Sequence, residues 1–171
     1  MKLKQVKSEI LELAFKAEAC EFGYNKAKNT KSINELLRVI KRHIVWCIIN
    51  KITTSENLER WFDIEELQAH HIYTSGLKDI EINKKSVITV LGNANVNIVI
   101  NTNKFFIYLA ENSKVEVLTY NKSKTEIKTY PNIKTYDNSV VFIKNCEYDN
   151  IISKKIDDSS VLVVAKIETP F

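Results

Sequence analysis

The apolar positions of this chain follow two different periods: helical spacing up to about residue 71, and strict alternation from about residue 72. In the first part Ile10, Leu13, Ala14, Ala17, Cys20 and Tyr24 fall on one stripe, which predicts an amphipathic helix over about 8–28 with Ser8 as its N-cap. Ser32-Ile33-Asn34-Glu35 has the spacing of a capping box, in which serine and glutamate satisfy each other's orphan backbone donors. Leu36, Leu37, Ile40, Ile44, Cys47 and Ile48 then carry a buried face to about Asn50. Thr53-Thr54-Ser55-Glu56 repeats the box and predicts a short acidic helix running through Leu58 to Trp61 and Phe62.

In the second part the period is two, and a short phrase keeps restarting. It reads Gly92-Asn93-Ala94-Asn95-Val96-Asn97-Ile98, then Glu111-Asn112-Ser113-Lys114-Val115-Glu116-Val117, then Asp137-Asn138-Ser139-Val140-Val141-Phe142-Ile143, with a worn copy from Asp157 to Val163. Starts near 83, 92, 101, 111, 121, 137, 147 and 157 give units of nine or ten residues, with Pro131 to Tyr136 as a shorter unit that breaks the spacing. Alternate residues on a strand share a face. Ala94, Val96 and Ile98, Ser113, Val115 and Val117, Ser123, Thr125 and Ile127, and Ser139, Val141 and Ile143 therefore face inward, with Asn95, Asn97, Lys114, Glu116, Lys124 and Glu126 outward. One strand and one bend per unit predicts an α+β protein: about three N-terminal helices, 1–71, followed by an all-β repeat region, 72–171, packed as one unit. A parallel β-solenoid is favoured over an antiparallel sandwich or jelly roll, because the repeated identities exceed what alternation alone requires; the scarcity of glycine at corners argues the other way.

Composition narrows the chemistry. Among 171 residues the only glycines are Gly23, Gly76 and Gly92, so no glycine-rich phosphate loop can be built. Cys20, Cys47 and Cys146 are too few and too far apart for a disulfide framework or a zinc knuckle, and read as core thiols of a reducing compartment. No segment approaches the roughly 18 apolar residues of a membrane span, and the charged start is unlike a signal peptide, so a cytoplasmic protein without membrane contact is expected. His43, His70 and His71 are the only histidines; no ligand spacing or catalytic motif surrounds them, so no catalytic residue, metal or cofactor is expected. Cys47 lies one helical turn after His43, but on the apolar stripe, which reads as packing rather than as a nucleophile.

The net charge of +4 is unevenly placed: residues 1–51 carry eleven basic against five acidic side chains, and 52–79 two against six. Two basic groups could meet a partner. Lys122, Lys124, Lys128 and Lys134 interleave with Tyr120, Tyr130 and Tyr136, with Glu126 the only acid between, the combination that neutralises phosphates and stacks unpaired bases. Arg38, Lys41 and Arg42 gather on one helix, where they could bind RNA or an acidic protein. The same residues also serve as solvated faces that keep strands and helices from aggregating.

The phrase Gly92-Asn93-Ala94-Asn95-Val96 resembles the glycine-asparagine-alanine-x-valine repeats of uncharacterised proteins in gut Bacteroidetes and their phages and mobile elements. In those proteins a short helical module precedes the repeats, and Glu18-Ala19-Cys20-Glu21-Phe22-Gly23, Ser32 to Leu37 and Trp46-Cys47 look like that module. The resemblance covers most of the chain, although the repeats here are longer, bulkier and less regular. It brings no known activity, but implies a phage or mobile-element origin. The expectation is a non-enzymatic binding protein acting in the host cytoplasm on a host protein or ribonucleoprotein complex, in the manner of an anti-CRISPR, with RNA contacted through the basic faces. A structural or assembly protein of a virion or element is the alternative, and the oligomeric state stays open.

Overall fold

The computed structural model describes residues 2–100, 105–119, 132–135, 140–144, 153–155 and 161–165, with side chains over 2–99 and 106–117. All the described helices precede all the described strands, an α+β arrangement, and the chain divides into two compact units, 1–70 and 71–171.

The helical unit holds α1 (Lys2–Lys16), α2 (Glu21–Lys28), α3 (Ile33–Arg42), α4 (Ile44–Ile49), α5 (Ser55–Trp61) and α6 (Ile64–Ala69). The helix expected over 8–28 is thus two. Glu18 takes a left-handed backbone, φ 55°, and the Ala19 N–H reaches back to the Ala14 carbonyl at 2.9 Å, closing α1. The apolar stripe runs on across the break, so periodicity alone conceals it. At the other end Leu3 and Val6 extend the stripe forward; α1 starts at Lys2, and Ser8 lies exposed within it instead of capping it. The Lys7 ammonium donates to the carbonyls of Lys28 and Thr30, each at 2.9 Å, and so joins α1 to the end of α2.

Ser32 caps α3, its hydroxyl accepting from the Glu35 N–H at 3.1 Å, while the Glu35 carboxylate takes the Lys31 N–H at 2.6 Å. The helix expected to reach Asn50 bends at His43 (φ −109°, ψ 21°), which ends α3 and opens α4. The next cap is Thr54, not Thr53: its hydroxyl accepts from the Asn57 N–H at 3.1 Å. Asp63 and Glu66 form a further capping box at α6, with the Asp63 N–H donating to Glu66 at 2.9 Å. Trp61 is buried and its indole N–H donates to Glu9 at 2.8 Å; this bond above all holds the Glu9 carboxyl below its ordinary pKa.

The second unit holds β1 (Ile72–Tyr73), β2 (Leu77–Ile82), β3 (Ser86–Val90), β4 (Asn95–Ile100), β5 (Phe105–Leu109), β6 (Lys114–Thr119), β7 (Asn132–Thr135), β8 (Val140–Lys144), β9 (Ser153–Lys155) and β10 (Val161–Ala165). Odd strands form one sheet in the order β1-β3-β5-β7-β9, even strands another in the order β10-β8-β6-β4-β2. Every pairing among the described residues is parallel, which overturns the antiparallel alternative. Asn95 pairs with Lys114, and Ser86 with Phe105, so two units of the phrase separate neighbours in a sheet.

In the two copies of the phrase whose side chains are described the alternation assigns faces as the pattern predicts; Ser123 to Ile127 and Ser139 lie outside the described residues, and for Val141 and Ile143 only the backbone is described. Val96, Ile98, Val115 and Val117 are buried with Ile88, Val90, Ile107 and Leu109, whereas Asn95 and Lys114 are exposed. The small third position of the phrase has its own reason. Ala94 and Ser113 sit in the bends, 1% and 0% exposed, where the Lys114 N–H bonds to the Ala94 carbonyl at 2.9 Å and the Ser113 hydroxyl reaches the Ala110 carbonyl at 2.8 Å. Left-handed backbone at these bends falls on Gly92 (φ 60°) and Glu111 (φ 61°), the first position of each phrase, rather than on asparagine or aspartate. The Glu111 carboxylate accepts the Gly92 N–H of the preceding bend.

The expected break at Pro131 to Tyr136 is placed differently. Asn132–Thr135 is β7, in register with β5, and the additional length lies in the twelve residues between Thr119 and Asn132. Earlier connections between strands of the repeat take three or four.

Candidate functional site

Helix α3 buries Leu36, Leu37 and Ile40 and turns its basic residues away from them. Those residues do not act alike. Lys41 is half-buried and its ammonium donates to the His70 carbonyl at 2.7 Å; loss of solvent lowers its pKa. Arg38 and Arg42 are exposed. Arg38 walls an open groove of about 670 Å³ whose other side carries Glu21, Asn25 and Phe22, the last 63% exposed with the Lys26 ammonium 4.1 Å above its ring. The surface is mixed in charge, with Glu21 and Glu35 beside Arg38 and Lys26.

His43 lies where α3 meets α4, facing α2. A cavity of about 220 Å³ opens there, walled by Ile10, Ala14, Ile40, Trp46 and Cys47. The imidazole Nε2 is shut off from solvent and has no hydrogen-bond partner, an arrangement that costs ~1–3 kcal/mol for a buried polar atom. Burial pushes the Cys47 thiol up to about 12, so it stays protonated at neutral pH and is a poor nucleophile. Cys20, expected in the core, is exposed, because the break before α2 carries it off the buried stripe. Cys146 lies outside the described residues.

The adjacent histidines part company. His70 Nε2 meets the Asn34 side-chain oxygen at 2.7 Å, while His71 takes a left-handed backbone, φ 54°. Among the described residues no three His, Cys, Asp or Glu side chains gather where they could hold a metal ion.

In the β unit the basic and aromatic group is partly in view. Tyr120, Lys122, Lys124, Lys128, Tyr130 and Tyr136 lie outside the described residues. Lys134 is on β7, where strand register sets it between Tyr108 of β5 and Lys154 of β9. Burial raises the pKa of Tyr108, which is half-buried. Three successive strands of one sheet thus carry Tyr108, Lys134 and Lys154 at matched positions. Sequence reading misses Tyr108 and Lys154, since they stand 26 residues before and 20 residues after Lys134 and only the pairing joins them.

No family model, curated protein or solved structure matches the chain. Two places stand out: the column of Tyr108, Lys134 and Lys154, and the cavity at His43. No described helix is long and apolar enough to cross a membrane.

Proposed function

We propose that this chain is a non-enzymatic binding protein: a helical module followed by an irregular parallel β-solenoid that occupies the surface of a host ribonucleoprotein complex, as a phage or mobile-element inhibitor of a CRISPR-type defence would. Support for the solenoid comes from strands that alternate between two sheets, all pairing in parallel, with 17 to 21 residues between neighbours except for 26 at β5–β7 and β6–β8. The observation that carries the binding role is the matched register of Lys134 and Lys154 beside Tyr108. Adjacent parallel strands lie about 4.8 Å apart, and like charges at neighbouring positions oppose folding. A polyanion laid along the column offsets that repulsion and releases counterions, while tyrosine offers a stacking face. Lys122, Lys124 and Lys128 stand in the sequence between Thr119 and Asn132, outside the described residues.

The test is fluorescence anisotropy with a single-stranded oligouridylate over a range of salt. Lys134→Glu with Lys154→Glu should weaken binding at least tenfold and flatten the salt slope by about 0.7 for each phosphate no longer neutralised. Lys84→Glu with Lys85→Glu, between β2 and β3, should leave both unchanged. Equal binding by both double variants would remove RNA from the reading, and a pull-down from host lysate with and without ribonuclease would then decide whether a protein surface is the target.

A further inference from the structure

We propose that Phe106 and Tyr108 form a two-base stacking platform on the sheet of odd strands, so that the chain holds single-stranded RNA by its bases as well as by its phosphates. The inference rests on the nucleic-acid reading above and adds to it a second aromatic residue and a preference for unpaired strands. Strand pairing sorts the side chains in a way the sequence conceals, because consecutive strands enter opposite sheets. The described strands of the odd sheet carry Lys134, Lys154 and Lys155, no aspartate or glutamate, and four aromatic residues. Those of the even sheet set Asp79, Glu81 and Glu116 against Lys78, Lys114 and Lys144, with Phe142 their one aromatic. Positive charge and rings thus gather on one sheet while charge on the other balances, so a polyanion is drawn to the odd sheet.

The two rings share a face of β5. Ile107 and Leu109 are fully buried in the core, so Phe106 and Tyr108, which alternate with them, stand on the opposite face, where both are half-buried. Residues two apart on a strand are separated by about 6.6 Å, twice the ~3.4 Å rise per nucleotide of a duplex strand. Bases seated on both rings are therefore unstacked from each other. A splayed single strand meets that spacing; a duplex, whose base faces are covered by their neighbours, does not.

Register adds a direction. Asn132 of β7 is set beside Phe106 and Lys134 beside Tyr108, with Lys154 of β9 one strand further. Thr89, the neighbour of Tyr108 on β3, is fully buried and closes the column on that side. The RNA therefore leaves Tyr108 toward the lysines, which meet its phosphates. Every base has a face to stack, so the platform tolerates any sequence.

Fluorescence anisotropy of the full chain with three probes of equal length separates bases from phosphates: single-stranded oligouridylate, an abasic ribose-phosphate oligomer and an RNA duplex. The wild type should bind oligouridylate at least tenfold more tightly than either of the others. Phe106→Leu and Tyr108→Leu keep an apolar side chain but remove the ring. Each should weaken oligouridylate binding roughly 5- to 150-fold, the worth of one stacked base, with the salt slope unchanged. Both should hold the abasic oligomer as the wild type does, which also reports an intact fold, and Tyr108→Phe should keep full affinity. A wild type that prefers neither oligouridylate over the abasic oligomer nor single strand over duplex, or leucine variants with wild-type affinity, would remove the platform and leave the lysine column standing. A leucine variant that loses the abasic oligomer equally would mark that ring as structural and overturn its role. No binding of oligouridylate by the wild type would overturn the platform and the RNA reading together.

Discussion

Lys41 and its neighbours on α3 show how burial divides a cluster that looks uniform in sequence. Its ammonium supplies a donor to the His70 carbonyl, whereas Arg38 and Arg42 extend into solvent. Lys41→Met should therefore lower stability by ~1–2 kcal/mol in urea titration, by leaving that carbonyl unpaired. Arg38→Ala and Arg42→Ala should each stay within ~0.5 kcal/mol. A pH scan adds a second readout. Because the folded-state pKa of Lys41 is lowered, the unfolded chain holds its proton to a higher pH than the folded one does, so this residue makes stability rise with pH just below its ordinary 10.5. Lys41→Met should abolish that rise. The spacing of His43 and Cys47 one turn apart was legible in sequence; the cavity between them and Gly23 was not, because Gly23 comes from another helix.

At the level of elements, the repeated phrase made the faces of the strands readable. Polar-small-alternating describes a bend followed by a strand, and the small place is small because Ala94 and Ser113 sit in the bends with nothing to spare. Ala94→Leu should cost ~1–3 kcal/mol by overpacking, and Ser113→Ala ~1 kcal/mol by removing a buried hydroxyl that bonds the Ala110 carbonyl, both measured by thermal denaturation. Asn95→Ser, one place from Ala94 on the exposed face, should be within ~0.5 kcal/mol. Sequence reading was weaker at helix ends. The left-handed turn at Glu18 and the bend at His43 lie within unbroken apolar stripes and contain neither glycine nor proline, so the closing bonds that decide them are set by packing rather than by composition. Asp63 and Glu66 did carry a capping signal of the same form as Ser32 and Glu35, at the head of a helix too short for its apolar period to show. In the sheets, pairing over two phrases brings Tyr108, Lys134 and Lys154 into one column, a relation that no local window contains.

For the whole molecule the rival to a binding role is assembly, in which one copy's strands add to the next. Growth in that way needs two usable edges, and the even sheet has β2 at one edge and β10 at the other. Leu77, Lys78, Asp79 and Glu81 of β2 are exposed. Lys78 matters most, since its register partner Val96 and the next in line, Val115, are buried core residues. A strand laid on β2 would cover an ammonium standing in an apolar column, a device that blocks edge-to-edge pairing. The β10 edge, Val161-Leu162-Val163-Val164-Ala165, carries no charge, and two copies meeting through it would form a closed pair rather than a fibre. Multi-angle light scattering should thus give a mass no greater than a dimer across a hundredfold range of concentration. Lys78→Val should raise the mass with concentration by freeing the blocked edge. A wild-type mass that climbs continuously would make the chain an assembly protein, whereas growth confined to Lys78→Val would identify Lys78 as the residue that keeps its β-repeat from polymerising.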